Sequence, residues 1–303
     1  MTLWSLIKRH TKIYFKDKGV FLPSLITPII LLFLFVTFLR NVYIDSIKLQ
    51  LPHGVELSTS ILNGFAGSWI ISSLLATCCI TIAFCANMIM VQDKVSGCYK
   101  DLTMTPVKKS TLNLSYYLST ALVTAIVCYV AFGIGLVYLS FTGFYMSFVD
   151  ILLAILDIAL LVLFGTALSS IVCMFLNSQG AISAVATLVS SVYGFICGAY
   201  MPLSQFSAGL RNALMFLPGT YGTGLIRSHM MNGVLQELRS QGLSSSVISN
   251  LSKSFDATLT FFGHNVSIWV MYLILSLTIV VLVSIFVLLS YIQRRKKHSN
   301  KKA

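Results

Sequence analysis

Asp157 is the only acidic residue set well inside a long apolar stretch of this 303-residue chain. Charge in hydrocarbon costs several kcal/mol, so such a residue is a functional candidate by default. Its stretch begins near Asp150, which puts Asp157 about 10 Å deep at 1.5 Å per residue. Two readings fit: a carboxyl lining a polar substrate path, or one satisfied structurally by water or a neighbouring hydroxyl. No Lys or Arg shares its depth, so a proton relay has no second member. His10, His53, His229, His264 and His298 are scattered and share no metal-binding spacing, so no metal site is expected. The sequence holds no GxxxxGK[ST] phosphate loop, no HExxH and no GxSxG. Its seven cysteines fall in apolar stretches or among basic segments and read as small buried hydrophobes.

The elements that carry these residues follow from composition. Hydrophobic residues make up 56% of the chain and charged ones 10%, well below the roughly 25% of a soluble domain. Six stretches reach the roughly 20 apolar residues that cross a bilayer: Val20–Leu39, Ile61–Asn87, Leu112–Leu139, Ile151–Phe175, Ala181–Tyr200 and Val266–Ile292. Hydrocarbon offers no partner to backbone N–H and C=O groups, so each is expected to be a helix. The runs are continuous rather than alternating, which excludes a β-barrel. The expected fold is an all-α membrane protein of six transmembrane helices, with a permease domain over 20–292.

Charge supplies the orientation. The net charge is +12, and fifteen of the 21 basic residues flank alternate loops. They are Lys8 to Lys18 before the first span, Lys94 to Lys109 between the second and third, and Arg294 to Lys302 after the last. Lys and Arg mark cytoplasmic loops, so both termini are expected in the cytoplasm of a plasma-membrane protein, with residues 293–303 a basic tail that touches anionic lipid heads. Basic residues so distributed do not form the aromatic-interleaved face of a nucleic-acid binder. Residues 1–19 set Trp4, Ile7, Thr11, Tyr14 and Phe15 near one helical face and lysines on the other. That suits an interfacial helix, or a plain charged lead-in to the first span.

Between the spans lie three segments of interest. The inner loop Gln92–Thr111 reads as a short helix over 92–104, a break, and a new helix with Thr105 as N-cap and Pro106 at its first position. Residues 201–227 are too apolar for a hydrated loop and too broken by Pro202, Pro218 and glycines for a span. They read as two half-helices re-entering the outer leaflet. Residues 228–265 carry apolar side chains at helical spacing and read as two amphipathic helices of an external cap. In the fifth span Ala186, Ser190, Gly194 and Gly198 recur every four residues. This small-residue stripe fits packing within the bundle, a subunit interface, or a substrate path.

At two places the chain resembles the type-2 ABC exporter permeases. The inner loop carries Asp93, Lys94, Gly97, Leu102, Thr105, Pro106 and Lys108, with aspartate and Cys98 where that family more often has glutamate and threonine. After the fifth span come Gly198, Tyr200, Pro202, Leu217, Pro218, Tyr221 and Arg227, in the family's order. The resemblance implies a transport subunit rather than an enzyme. ATP and Mg would be bound by a separate nucleotide-binding ATPase, and a second permease would complete the dimer. Asp93, Lys94, Gly97, Leu102 and Pro106 would serve ATPase coupling. Gly198, Tyr200, Pro202, Pro218, Tyr221 and Arg227 would form the outer gate, with Asp157 and Gly194 on the substrate path. The expected cargo is hydrophobic or amphipathic, as in the multidrug and antibiotic-exporter branch. Lipid-linked glycan or lipid export is the alternative, and a secondary transporter would need midplane ion-coupling residues and inverted repeats that the sequence lacks.

Overall fold

The computed structural model describes residues 2–52 and 57–299. His53, the end of the basic tail from residue 300, and the tail's side chains from residue 293 lie outside the described residues, as does the side chain of Ser190.

The chain opens with α1 (Leu3–Lys16), capped by the Thr2 hydroxyl and burying Leu6, Ile7, His10 and Tyr14. Ile7 and Tyr14 turn inward as their spacing suggests, whereas Trp4 and Phe15 are exposed on another flank. α2 (Lys18–Leu34) runs through a π-turn at Phe35–Leu39 into α3 (Arg40–Gln50). The first helix therefore extends well past Leu39, because Tyr43 and Ile47 bury against the apolar cluster around Trp69. α4 (Thr59–Val95) is the longest helix at 37 residues, roughly 55 Å from end to end. A break at Ser96–Gly97 separates it from α5 (Cys98–Met104). Gly97 adopts φ +84°, a left-handed conformation that costs glycine little.

The helix expected over 92–104 is thus divided, its first turn belonging to α4. Thr105 closes α5, its hydroxyl donating to the Leu102 carbonyl at 2.6 Å, instead of capping the next helix. α6 (Lys109–Thr142) starts only at Lys109. α7 (Phe148–Phe175) begins with a capping box between Ser147 and Asp150. α8 (Gln179–Ile196) follows after a short link. Next come a 3-10 turn at Leu203–Gln205, α9 (Ala208–Leu214) and α10 (Pro218–Ser240). α10 passes Arg227 without interruption, so the segment expected to end there and the first helix expected beyond it are one element. α11 (Ser245–Ser254) is the second amphipathic helix of the 228–265 region. A small hairpin, β1 (Thr260–Phe261) and β2 (His264–Asn265), leads into α12 (Ile268–Ser299).

The chain is an all-α membrane protein. Among the described residues five helices are long and apolar enough to span: Lys18–Gln50, α4, α6, α7 and Ile268–Ile292. The remaining expected span is α8, which is apolar but shorter. α4 stands at the centre, ringed by α2, α6, α7, α8 and α10, while α1 lies against α6 and α12 packs on α7 and α10. Close approach is built in at Gly233 of α10, where an added Cβ would stand 1.9 Å from the Tyr145 carbonyl oxygen in the α6–α7 link. Backbone on both sides of that contact has little room to yield. Gly233→Ala is expected to destabilise the fold by about 1–3 kcal/mol, as overpacking does, and to lower the detergent-solubilised Tm. An unchanged Tm would show that the link relaxes freely.

Candidate functional site

At the α5 end of the bundle, the polar residues of the inner loop turn inward. Asp93, on the last full turn of α4, takes a two-pronged hydrogen bond from the Arg9 guanidinium of α1 at 2.8 and 3.1 Å. The Tyr116 hydroxyl of α6 donates to the same carboxylate at 2.5 Å. Arg9 also donates to the Cys98 thiol at the start of α5. Paired, planar charge-assisted bonds fix orientation as well as energy. Beside them His10 stacks on Tyr116 with ring centroids 4.0 Å apart, and its Nε2 lies 3.2 Å from the Ser115 hydroxyl. Burial, and then the neighbouring Arg9 charge, lower the His10 pKa to about 4.

Lys94 points to the other side of α4. Its ammonium donates to the carbonyls of Cys173, Met174 and Leu176 at 2.9, 3.0 and 3.2 Å. Those carbonyls end α7 without helical partners, and a cation there also meets the negative end of the helix dipole. A third link runs from α5: the Tyr99 hydroxyl donates to Asn113 of α6, whose amide donates to Ser290 of α12. Asp93 and Lys94 are therefore committed to their own chain, and Leu102 is buried. The exposed residues of this end include Val95, Ser96, Lys100, Asp101, Met104, Pro106 and Lys108.

At the opposite end, Arg227 of α10 is buried and meets α4 and the turns around it. It donates to the Gly198 carbonyl at 2.6 Å and the Ser73 hydroxyl at 2.8 Å, pairs with Asp256 at 3.3 Å, and lies 4.7 Å from the Trp69 ring centre. Asp256 accepts in addition from the backbone N–H of Leu203 and of Ser204. Burial pushes its pKa up to about 6, against the opposing pull of Arg227 and those amides. Gly198, at φ +70°, makes the turn that aims its carbonyl at the arginine. The Tyr200 ring covers Gly194, leaving no room there for a Cβ, and the Tyr200 carbonyl accepts from Tyr43 of α3. Pro202 leads the 3-10 turn, Pro218 begins α10, and Tyr221 is buried one turn before Arg227's own. Of the expected gate residues, Gly198 is the one that bonds Arg227 directly, and the arginine's carboxylate partner, Asp256, was not singled out by sequence.

Asp157 is fully buried between α7, α10 and α12. The Tyr272 hydroxyl donates to it at 2.5 Å, and His229 Nδ1 lies 2.6 Å from its other oxygen. The sequence reading that left Asp157 without an ionisable companion is corrected here: α10 carries His229 to the same depth. Gly194 belongs to α8 and lies under Tyr200, not beside Asp157. Among the described residues no group of three His, Cys, Asp or Glu side chains could hold a metal ion.

A multi-pass α-helical membrane protein with charge-knotted bundle ends is the class this arrangement defines. The chain belongs to the ABC-2 type transporter family, whose membrane-domain model matches residues 1–231. It is accordingly a permease, the transmembrane subunit of an ABC transporter. No curated protein matches the chain significantly.

Removing Arg227 alone strands the Asp256 carboxylate in the interior. Arg227→Gln is expected to cost about 3–5 kcal/mol of stability. The Arg227→Gln/Asp256→Asn pair should recover much of that loss in thermal unfolding, and equal losses in both variants would remove the pair from the account. For His10, the folded pKa lies below the unfolded one, so the unfolded chain takes the proton first. Stability from this residue is intact above about pH 6.5 and is lost as the pH falls through about 4. His10→Gln should flatten that acid limb; a limb of unchanged slope would contradict the burial effect.

Proposed function

We propose that the chain is the membrane half of an ATP-driven exporter, docking a separate nucleotide-binding ATPase on α5. The observation that carries this reading is the division of labour around Gly97. Beyond the break, α5 offers Lys100, Asp101 and Met104 outward, with Met104 84% exposed, and Pro106 is exposed just after it. Before the break, Asp93 and Lys94 bind α1, α6 and α7. ABC-2 membrane domains work with an ATPase partner, and a short helix with an apolar centre and flanking charges suits a groove on such a partner. A push on α5 then reaches α1 through Cys98 and Arg9, α6 and α12 through Tyr99 and Asn113, and α7 through Lys94. ATP and Mg belong to that partner.

In this reading the basic loops place both termini and α5 in the cytoplasm of the plasma membrane, and a second permease, identical or not, completes the path. Residues 201–227 dip into the outer leaflet as a gate, and the Arg227–Asp256 knot holds the gate to α4. The cargo is hydrophobic or amphipathic, which fits the abundance of Phe, Tyr and Met. Lipid-linked glycan export on the same architecture is the second reading.

Co-purification with the candidate ATPase tests the docking face. Lys100→Glu/Met104→Glu is expected to cut ATPase recovery about tenfold, the equivalent of roughly 1.4 kcal/mol. The distant surface change Lys48→Glu, at an exposed position of α3, should leave recovery intact. Equal recovery for both would refute docking on α5. ATPase stimulation by amphipathic drugs, compared with lipid-linked glycans, separates the two cargo readings.

A further inference from the structure

Two cations at the end of the bundle opposite α5 have no carboxylate of their own. Arg211 of α9 and Lys253 of α11 are half-buried and line one cleft with Ser204, Asp256 and Thr260. Neither basic side chain makes a hydrogen bond among the described residues, and no carboxylate oxygen there lies within ion-pair distance of either. The Arg211 Nε is shielded from solvent yet has no acceptor. Buried donors are seldom left so, because their lost hydration is not replaced. The Thr260 hydroxyl, a third donor on the cleft wall, also lacks a hydrogen-bond partner among the described residues.

Asp256 stands on the same wall, but its charge is already matched. It accepts from Arg227 and from the backbone N–H of Leu203 and of Ser204. Arg211 acts on it only through space. Arg227, Arg211 and Lys253 against the single carboxylate of Asp256 leave an excess of two positive charges, three minus one. The cleft measures about 10 Å³, room for one water-sized occupant. Water would fill that space without offsetting the charge. A monatomic anion does both, since it turns the repulsion between two cations into attraction toward a shared centre. Sulfate and phosphate are too large to enter.

We infer that this cleft is a halide site, taking chloride between the Arg211 guanidinium and the Lys253 ammonium, with the Thr260 hydroxyl as a further donor. Arg211 and Lys253 belong to different helices, so bound chloride ties α9 to α11. It does so beside the Arg227–Asp256 pair, whose carboxylate also holds the Leu203 and Ser204 amides. The ion thus adds a bond across the segment proposed above as a gate, although the binding itself is independent of that proposal.

The test compares thermal unfolding of the full chain in detergent with sodium chloride and with sodium gluconate at equal ionic strength. Gluconate is too large for the cleft, so chloride well above its dissociation constant is expected to raise the Tm by about 3 °C. Bromide should act as chloride does. Arg211→Gln/Lys253→Gln should abolish the difference between the salts. Arg211→Lys should keep it, as should Lys12→Gln, an exposed cation on α1. Should the glutamine pair not fold, the single Lys253→Gln variant is expected to need roughly tenfold more chloride for the same shift, the effect of one lost bond to a charged group. A shift that survives unchanged in the glutamine variants would show a general salt effect and overturn the site. No shift in the unaltered chain would leave the cleft to water and overturn it as well. An equal shift from sulfate, lost in the glutamine pair, would show a wider anion site and overturn the halide assignment.

Discussion

In its most apolar window α4 is 94% buried, although it is no more apolar than α7 or α12. Lipid accepts any of these helices equally well, so hydrophobicity alone does not put one of them in the middle. What distinguishes α4 is its complement of small and polar side chains. Ser72, Ser73, Thr77, Thr81 and Asn87 are all buried on it. Ser72 and Thr77 return their hydroxyls to α4's own carbonyls at 2.7 Å, which satisfies them without a partner helix. Asn87 reaches α7, donating to Ser169 and Ser170. Small faces let five neighbours approach on all sides, and a helix so enclosed has no lipid-facing flank about which to turn.

That column is held at two levels by arginines from other elements. Arg9 reaches Asp93 in its last turn, and Arg227 reaches Ser73 and the Trp69 face in its first half. Buried ion pairs add little net stability, because desolvation consumes most of the attraction. Their effect is on registry: a guanidinium has a planar set of donors, and few placements satisfy them. Arg9 sets how α1 lies across the bundle, and Arg227 sets how the turn at Gly198 and the segment around Asp256 sit over α10. The two knots differ in kind. The first binds helices to one another, whereas the second binds irregular backbone whose amides and carbonyl have no helical partners.

The spans were legible because hydrocarbon enforces helices and length follows from bilayer thickness. The elements between them were read less well, and for one reason. From sequence alone polar residues at helix ends read as facing outward, yet α1, α6 and α7 close around the last turn of α4, so Asp93 and Lys94 face inward. The partners were invisible as well: Arg9 precedes Asp93 by 84 residues, and His229 follows Asp157 by 72. Asp256 sits in an ordinary-looking stretch, and only the question of what neutralises a buried Arg227 leads to it. The continuity of α10 through Arg227 was hidden by its glycines. They read as helix breakers, but Gly222 and Gly224 admit Leu161 and Leu259 side chains close to the helix axis.

α12 shows what the polar hooks accomplish. Only 17% of its apolar window is buried, and lipid tails are as apolar as its neighbours, so no hydrophobic force presses it to the bundle. Two side-chain bonds locate it instead: Tyr272 to Asp157 near one end and Ser290 to Asn113 near the other. Asn113 is also the acceptor for Tyr99 of α5, so the candidate span with the smallest buried share is wired directly to the proposed motor contact. Asp157 then need not be read as either a site or a structural residue. A carboxylate shared between Tyr272 and His229 holds this span to α7 and α10. Any motion that carries α12 away from α7 must first break the 2.5 Å bond that Asp157 accepts.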